Sequence, residues 1–311
     1  MIVDAHAHIF LRMTGCFARG AVRGLSHGKV AIGTEAPFQA FAPYGEKVSS
    51  PPETLLANMD WAGVDHAILL QNNFYGNQNT AVAAAVRRWP DRFTGAMYLD
   101  PWSPGARETF RHWHEHLPIV KIATDDRFGL FALHQNASLA DDCCAWLWPA
   151  MEQSGMTLTL DLGGIGSRSY ETDVVAAIAG SHPKLKIVIC HLAQPTVRDE
   201  KKPRLRRLRL WAEQIALAKR PNVWLDISAL PHKVGDEPFP WPSSGRWIRQ
   251  ALESVGPKKL LWGTDYPGLL TAGTYPQLLQ QMPIHLTGVS SRHLKAILGG
   301  NARAAYPLPN N

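Results

Sequence analysis

The chain has 311 residues, enough for one large domain or two small ones with a real core. A hydrophobic fraction of 45% and a charged fraction of 19% exclude wholesale disorder. No stretch approaches the ~20 uninterrupted apolar residues that a membrane span requires.

The net charge of +6 is concentrated in one place. Arg198, Lys201, Lys202, Arg204, Arg206, Arg207 and Arg209, set against Asp199 and Glu200, supply five of the six charges. Such a cluster is ordinarily a solvated helix face and weak evidence for nucleic acid. Its functional uses would be capture of an anionic substrate or a subunit contact in a homodimer, and no nucleic-acid or membrane partner is expected. The four cysteines (Cys16, Cys143, Cys144, Cys190) form no C-x-x-C pair, which suggests neither a disulfide framework nor a zinc knuckle. Met1-Ile2-Val3 opens an apolar run without a basic n-region and long h-region, which argues against a signal peptide, and with these cysteines a reducing cytoplasm is the expected location.

Short apolar runs alternate with amphipathic stretches eight times along the chain. The first run is Met1–His8, and residues 9–50 then hold many basic and turn-forming residues. An amphipathic stretch around Leu55, Leu56, Met59 and Trp61 leads to the second run, Ala67–Leu70. The others are Thr94–Leu99, Ile119–Ala123, Thr157–Leu162, Lys186–Cys190, Val223–Ile227 and Lys259–Trp262. Each is apolar on consecutive residues, as strands buried on both faces of a parallel sheet are. Helical spacing marks Val82, Ala85, Val86 and Trp89, then Leu205 to Ile215, then Trp247 to Val255, the last stopped by Gly256-Pro257. Weaker matches cover Cys144–Met151 and Val174–Ile178. Eight such units predict an α/β fold, a (β/α)8 TIM barrel, as a single domain over 1–311 with a long insertion after the first strand. An open doubly wound sheet is the alternative, but no glycine fingerprint opens the first helix.

Asp4-Ala5-His6-Ala7-His8 ends the first strand. Period-two alternation would put Asp4, His6 and His8 on one face, and two imidazoles along a strand can converge on a divalent cation. Asp265, in Trp262-Gly263-Thr264-Asp265-Tyr266-Pro267, follows the eighth strand, which adjoins the first in a closed barrel. There a carboxylate can ligate a metal or accept a proton from water, although an aspartate after a strand also caps turns. His191 follows the sixth strand, placed to touch substrate or to sit buried against backbone. Asp161 ends the fifth strand, where it could complete a metal site or tie down the Gly163-Gly164 loop. Lys121 on the fourth strand could pair with a carboxylate, bridge metals once carboxylated, or contact an acidic substrate.

DAHAH at 4–8, PDRFTGAMYLDP at 90–101, CHLAQP at 190–195, LWGTDYP at 261–267 and ILGGNARAAY at 297–306 together resemble the amidohydrolase superfamily. The likeness is to its amidohydrolase-related branch of aminocarboxymuconate-semialdehyde and resorcylate-type decarboxylases and pyrone-dicarboxylate lactonases. It implies that His6 and His8 bind one divalent metal, that Asp265 is a ligand or the acid/base, and that His191 assists catalysis. The branch usually ends its fifth strand with a further histidine ligand, where this chain has Asp161. That set would suit Mn²⁺ or Mg²⁺ better than a histidine-rich one, with Zn²⁺ also accepting Asp. Hydrolysis of a small carboxylated lactone or amide, or decarboxylation of a hydroxybenzoate- or muconate-like acid, would follow. The expected carboxylate clamps are Arg12, Arg19, Arg23, Arg127 and Arg168, with Lys121 also able to meet an acidic substrate and Tyr75 in the pocket wall. A barrel that has lost its reaction and binds partners through the basic patch is the non-enzymatic alternative.

Overall fold

The computed structural model describes residues 1–197 and 204–309. Eight strands form one parallel sheet in chain order: β1 (Val3–Ala7), β2 (His66–Leu69), β3 (Phe93–Tyr98), β4 (Ile119–Ala123), β5 (Thr157–Asp161), β6 (Lys186–Ile189), β7 (Val223–Asp226) and β8 (Leu260–Leu261). All eight coincide with the apolar runs of the sequence. The ring closes between its first and last members. Ala5 N–H donates to Trp262 O at 2.9 Å, Asp265 N–H to His6 O at 2.7 Å and His8 N–H to Tyr266 O at 2.8 Å. The fold is a TIM barrel with an insertion.

Helices cover the outside, and their boundaries follow local chemistry. Pro52–Ala62 begins with a proline in its first turn, where a missing N–H costs nothing. It ends at Gly63, whose φ of 73° suits a residue without a Cβ. The Trp247–Val255 pattern belongs to Pro242–Val255 and stops at Gly256 as expected. Cys144–Met151 is broken into two short helices, Asp142–Ala145 and Leu147–Gln153. Ala106–Trp113 and Tyr275–His285 are helices that hydrophobic periodicity did not reveal. No helix among the described residues is long and apolar enough to cross a membrane.

Inside the ring, Val3, Ala5, Ile68, Ala96, Ile119, Val188, Trp224 and Leu261 pack together, and Ala302, Ala305 and Tyr306 from the C-terminal segment close that end. Between β1 and the first helix lies a separate antiparallel sheet of Cys16–Phe17, Gly20–Gly24, Lys29–Ile32 and Phe38–Gln39. It has its own small core, where Phe10, Phe17, Val22, Val30, Ile32 and Phe41 meet Tyr75. The 9–50 insertion is therefore folded structure over the upper rim rather than a loop.

Candidate active site

Strict alternation fails along β1. Val3 and Ala5 point into the apolar interior, and the pairing of β1 with β2 then shifts register between Asp4 and Ala7. The shift parts Asp4 from the two histidines, against the sequence expectation. Asp4 accepts from Thr264 N–H at 2.9 Å, Thr264 Oγ1 at 2.6 Å and Tyr275 Oη at 2.8 Å, fastening the chain beyond β8 to β1. Burial outweighs these bonds and raises its carboxyl to about 6.

His6 and His8 are fully buried and their rings meet edge to face with centroids 5.0 Å apart. His8 Nδ1 is 2.8 Å from Leu70 O. A carbonyl only accepts, so Nδ1 carries the ring proton and Nε2 is bare. His6 Nδ1 is likewise held, 2.9 Å from Asp226 Oδ2. Both bare Nε2 atoms face one carboxylate oxygen: Asp265 Oδ1 lies 3.2 Å from His8 and 3.6 Å from His6. Burial and the Lys121 charge press both imidazoles down, His6 to about 4, so they are neutral near pH 7. Burial opposes ionisation of Asp265, but the His191 charge nearby holds its carboxyl below the usual range. Acceptors thus face acceptors around a point, which is the donor set of a cation site; the imidazole–carboxylate and imidazole–carbonyl supports behind it are those found behind metal ligands. His6, His8 and Asp265 fit one divalent ion.

Asp265 reaches this point through a left-handed φ of 61°, an uncommon conformation for a side-chain-bearing residue. Gly263 lets the backbone pass close to β1, since a Cβ there would stand 2.9 Å from His6 Cβ. Beyond β6, His191, Leu192, Ala193 and Gln194 are four consecutive left-handed residues. Several bonds hold this turn: His191 N–H donates to Asp226 Oδ1 at 2.9 Å, Trp211 Nε1 to Leu192 O at 2.8 Å, Tyr170 Oη to Ala193 O at 3.0 Å and Gln194 Nε2 to Asp161 Oδ1 at 2.8 Å.

The other expected residues gather beside the cation point. Lys121 Nζ is 2.9 Å from His6 Nε2 and 3.3 Å from Asp161 Oδ2. His191 Nε2 is 3.4 Å from the same Asp161 oxygen, and its Nδ1 is 2.8 Å from Ser228 Oγ. Asp161 is therefore engaged by Lys121, His191 and Gln194 and stands outside the His6–His8–Asp265 group. Burial disfavours its charge, but Lys121 and then His191 hold its carboxyl well below the usual range. In return Asp161 raises His191 against the effect of burial.

Asp226, which the sequence motifs do not single out, ends a strand as Asp161 does. It orients His6, anchors His191 N–H and accepts from Ser228 Oγ at 2.5 Å. His6, Cys190 and Asp226 also lie close enough for a metal, but the His6–Asp226 bond already joins two of them, and burial pushes the Cys190 thiol well up.

Tyr75 is buried beside the site, its ring centroid 4.8 Å from His8 and 4.7 Å from Phe10. The arginines divide. Arg19 and Arg127 both lie against Phe128, with guanidinium carbons 5.7 and 4.8 Å from its centroid, and Arg19 also pairs with Glu35 at 2.9 Å. Arg168 pairs with Asp126 at 3.1 Å. Arg23 donates to Gly33 O at 3.0 Å, and Arg12 is exposed. In the basic cluster, Arg198, Lys201 and Lys202 lie outside the described residues. Arg206, Arg207 and Arg209 are on the exposed face of helix Arg204–Ala216, where Arg209 pairs with Glu213.

Comparison with known proteins agrees with the fold. No curated protein is significantly similar to the chain in sequence. Among solved structures, an amidohydrolase from Burkholderia multivorans with bound zinc is similar over 99% of this chain and 100% of that one, at 16% identity and a TM-score of 0.73. A probable 2-pyrone-4,6-dicarboxylic acid hydrolase from Acinetobacter baumannii, with citric acid bound, matches over 98% of both chains at 18% identity and a TM-score of 0.66. The 5-carboxyvanillate decarboxylase of Sphingomonas paucimobilis matches over 82% of both at 18% identity and a TM-score of 0.56. At these identities the likeness is one of fold. The sequence pattern of the Amidohydrolase family (Amidohydro_2), however, matches residues 3–308, nearly the whole length, and so the chain belongs to that family.

Proposed function

We propose that the protein is a cytoplasmic metal-dependent hydrolase that opens a small carboxylated lactone or amide with water. The observation that carries this reading is the facing of two bare imidazole nitrogens and one carboxylate oxygen at the C-terminal ends of β1 and β8. A Zn²⁺, Mn²⁺ or Mg²⁺ ion held there by His6, His8 and Asp265 would supply Lewis acidity and lower the pKa of water from ~15.7 toward ~7. The two nitrogens and one oxygen favour Zn²⁺ or Mn²⁺ over Mg²⁺.

The chain's own groups do the rest. Asp265, ionised at neutral pH, accepts a proton from the attacking water. His191, whose pKa Asp161 raises against the effect of burial, is placed to donate a hydrogen bond to the developing oxyanion from Nε2 when protonated. Its other nitrogen is fixed by Ser228, itself tied to Asp226. Arg19 and Arg127, which both lie against Phe128, are the clamps we assign to the substrate carboxylate, and Tyr75 forms the wall beside His8.

One observation favours a second reading. A His191 paired with Asp161 at 3.4 Å is also placed to protonate a carbon that loses CO₂, so decarboxylation of a hydroxybenzoate- or muconate-like acid is the alternative. Protein purified without chelators should carry near one divalent ion per chain by elemental analysis, and lactones should release acid without CO₂. Full activity in metal-free protein would overturn the metal's role; CO₂ release from hydroxybenzoates, with lactones untouched, would replace hydrolysis by decarboxylation.

A further inference from the structure

β4 delivers a lysine into the ring of imidazoles and carboxylates. Lys121 is buried, with Nζ 2.9 Å from His6 Nε2 and 3.3 Å from Asp161 Oδ2. Because His6 Nδ1 is committed to Asp226, Nε2 offers a single in-plane lone pair. That lone pair can accept a hydrogen bond from an ammonium or ligate a cation, but not both at once.

We propose that Lys121 is a built-in, displaceable stand-in for the metal: its ammonium and a divalent ion are mutually exclusive partners of His6 Nε2, and loading the site requires Nζ to withdraw to Asp161. This rests on the reading of His6, His8 and Asp265 as ligands.

Three observations support it. The ammonium places positive charge among Asp161, Asp226 and Asp265, the carboxylates that an ion would neutralise, so the metal-free ring is already compensated. Withdrawal has a destination, because Asp161 Oδ2 is within 3.3 Å and the same carboxylate is held through Oδ1 by Gln194. Finally, Asp226 keeps the His6 ring in place, so the exchange changes the partner of Nε2 without turning the imidazole. The lysine's flexible four-carbon stem makes the movement inexpensive.

The consequence is an affinity for metal set by competition and lower than the three ligands alone would give. The test is Zn²⁺ binding to chelator-stripped protein, read by competition with a zinc-sensitive chelating dye, for wild type, Lys121→Met and Lys121→Gln. Circular dichroism of the stripped proteins establishes that each is folded, and the Gln variant, which keeps a donor for Asp161, covers the case in which Met is not tolerated. Both variants should bind Zn²⁺ at least about tenfold more tightly than wild type, since a like charge has been removed from beside the ion. Unchanged or weaker binding in the variants overturns the proposal. A wild type that takes up no Zn²⁺ while the variants do upholds the competition and overturns the metal-dependent reaction instead. Absence of binding in all three overturns both.

Discussion

The two ends of the barrel interior are built from the same strands and carry opposite chemistry. Toward the N-terminal ends, Val3, Ile68, Ala96, Val188 and Leu261 close on Tyr306 in an apolar plug. Toward the C-terminal ends, His6, His8, Lys121 and Asp226 are as enclosed as the plug, and Asp161 and Asp265 beside them are half-buried. Burial of apolar side chains stabilises the first end by about 25 cal/mol for each Å² removed from water. At the second end burial opposes every charge, and the charges are kept only because each has a partner of opposite sign or a bonded support. The lower end holds the barrel together, and the upper end spends part of that stability on holding reactive groups in place.

The largest expected effect separates the two by activity. Asp265→Asn should lower kcat by about 10³-fold, equivalent to about 4 kcal/mol, with little change in the melting temperature of the metal-stripped protein. Substantial residual turnover would remove Asp265 as the base. In the plug the effects should invert. Ile68→Ala should cost about 2–5 kcal/mol in denaturant unfolding while kcat stays as in wild type. A variant that lost kcat in proportion to stability would show that the two ends are not separable.

The smallest effect concerns pH. His66, at the base of the barrel, bonds Asp91 O at 3.0 Å and Thr94 Oγ1 at 2.9 Å, and burial lowers its pKa below the ordinary 6.5. The unfolded chain therefore binds this proton first, so its contribution to stability is full above about pH 6.5 and is lost as pH falls toward the depressed value, by at most about 1.4 kcal/mol per pH unit. His66→Gln should flatten that part of the stability profile; an unaltered slope would assign the dependence to the upper ring.

The barrel was legible because a strand buried on both faces announces itself as a run of consecutive apolar residues, as Ile119–Ala123 and Lys186–Ile189 do. The inserted sheet was not, because its strands have two to five residues, several of them exposed, and carry Gly20 and Gly24. Helix Ala106–Trp113 buries only Ala106 and Phe110, too few points to establish a period. Tyr275–His285 did have a readable start, Thr274 and Gln277 in a capping box. At the site, His6, His8 and Asp265 could be read from their positions at strand ends, whereas the partition between Asp4 and the two histidines depends on a register shift that strict alternation does not anticipate. Asp226 carried the same strand-end signal as Asp161 and became conspicuous only through its bonds to His6 and His191.

The join between β1 and β8 has a mechanical consequence. β8 is two residues long, and beyond it the join depends on a few backbone bonds and the Asp4 side chain, between segments some 257 positions apart, the separation of His8 from Asp265. The three groups suited to gripping an ion straddle that join. An ion bound there would act as a clasp on the hoop, tying the beginning of the chain to its end, so that filling the site and bracing the scaffold would become a single event.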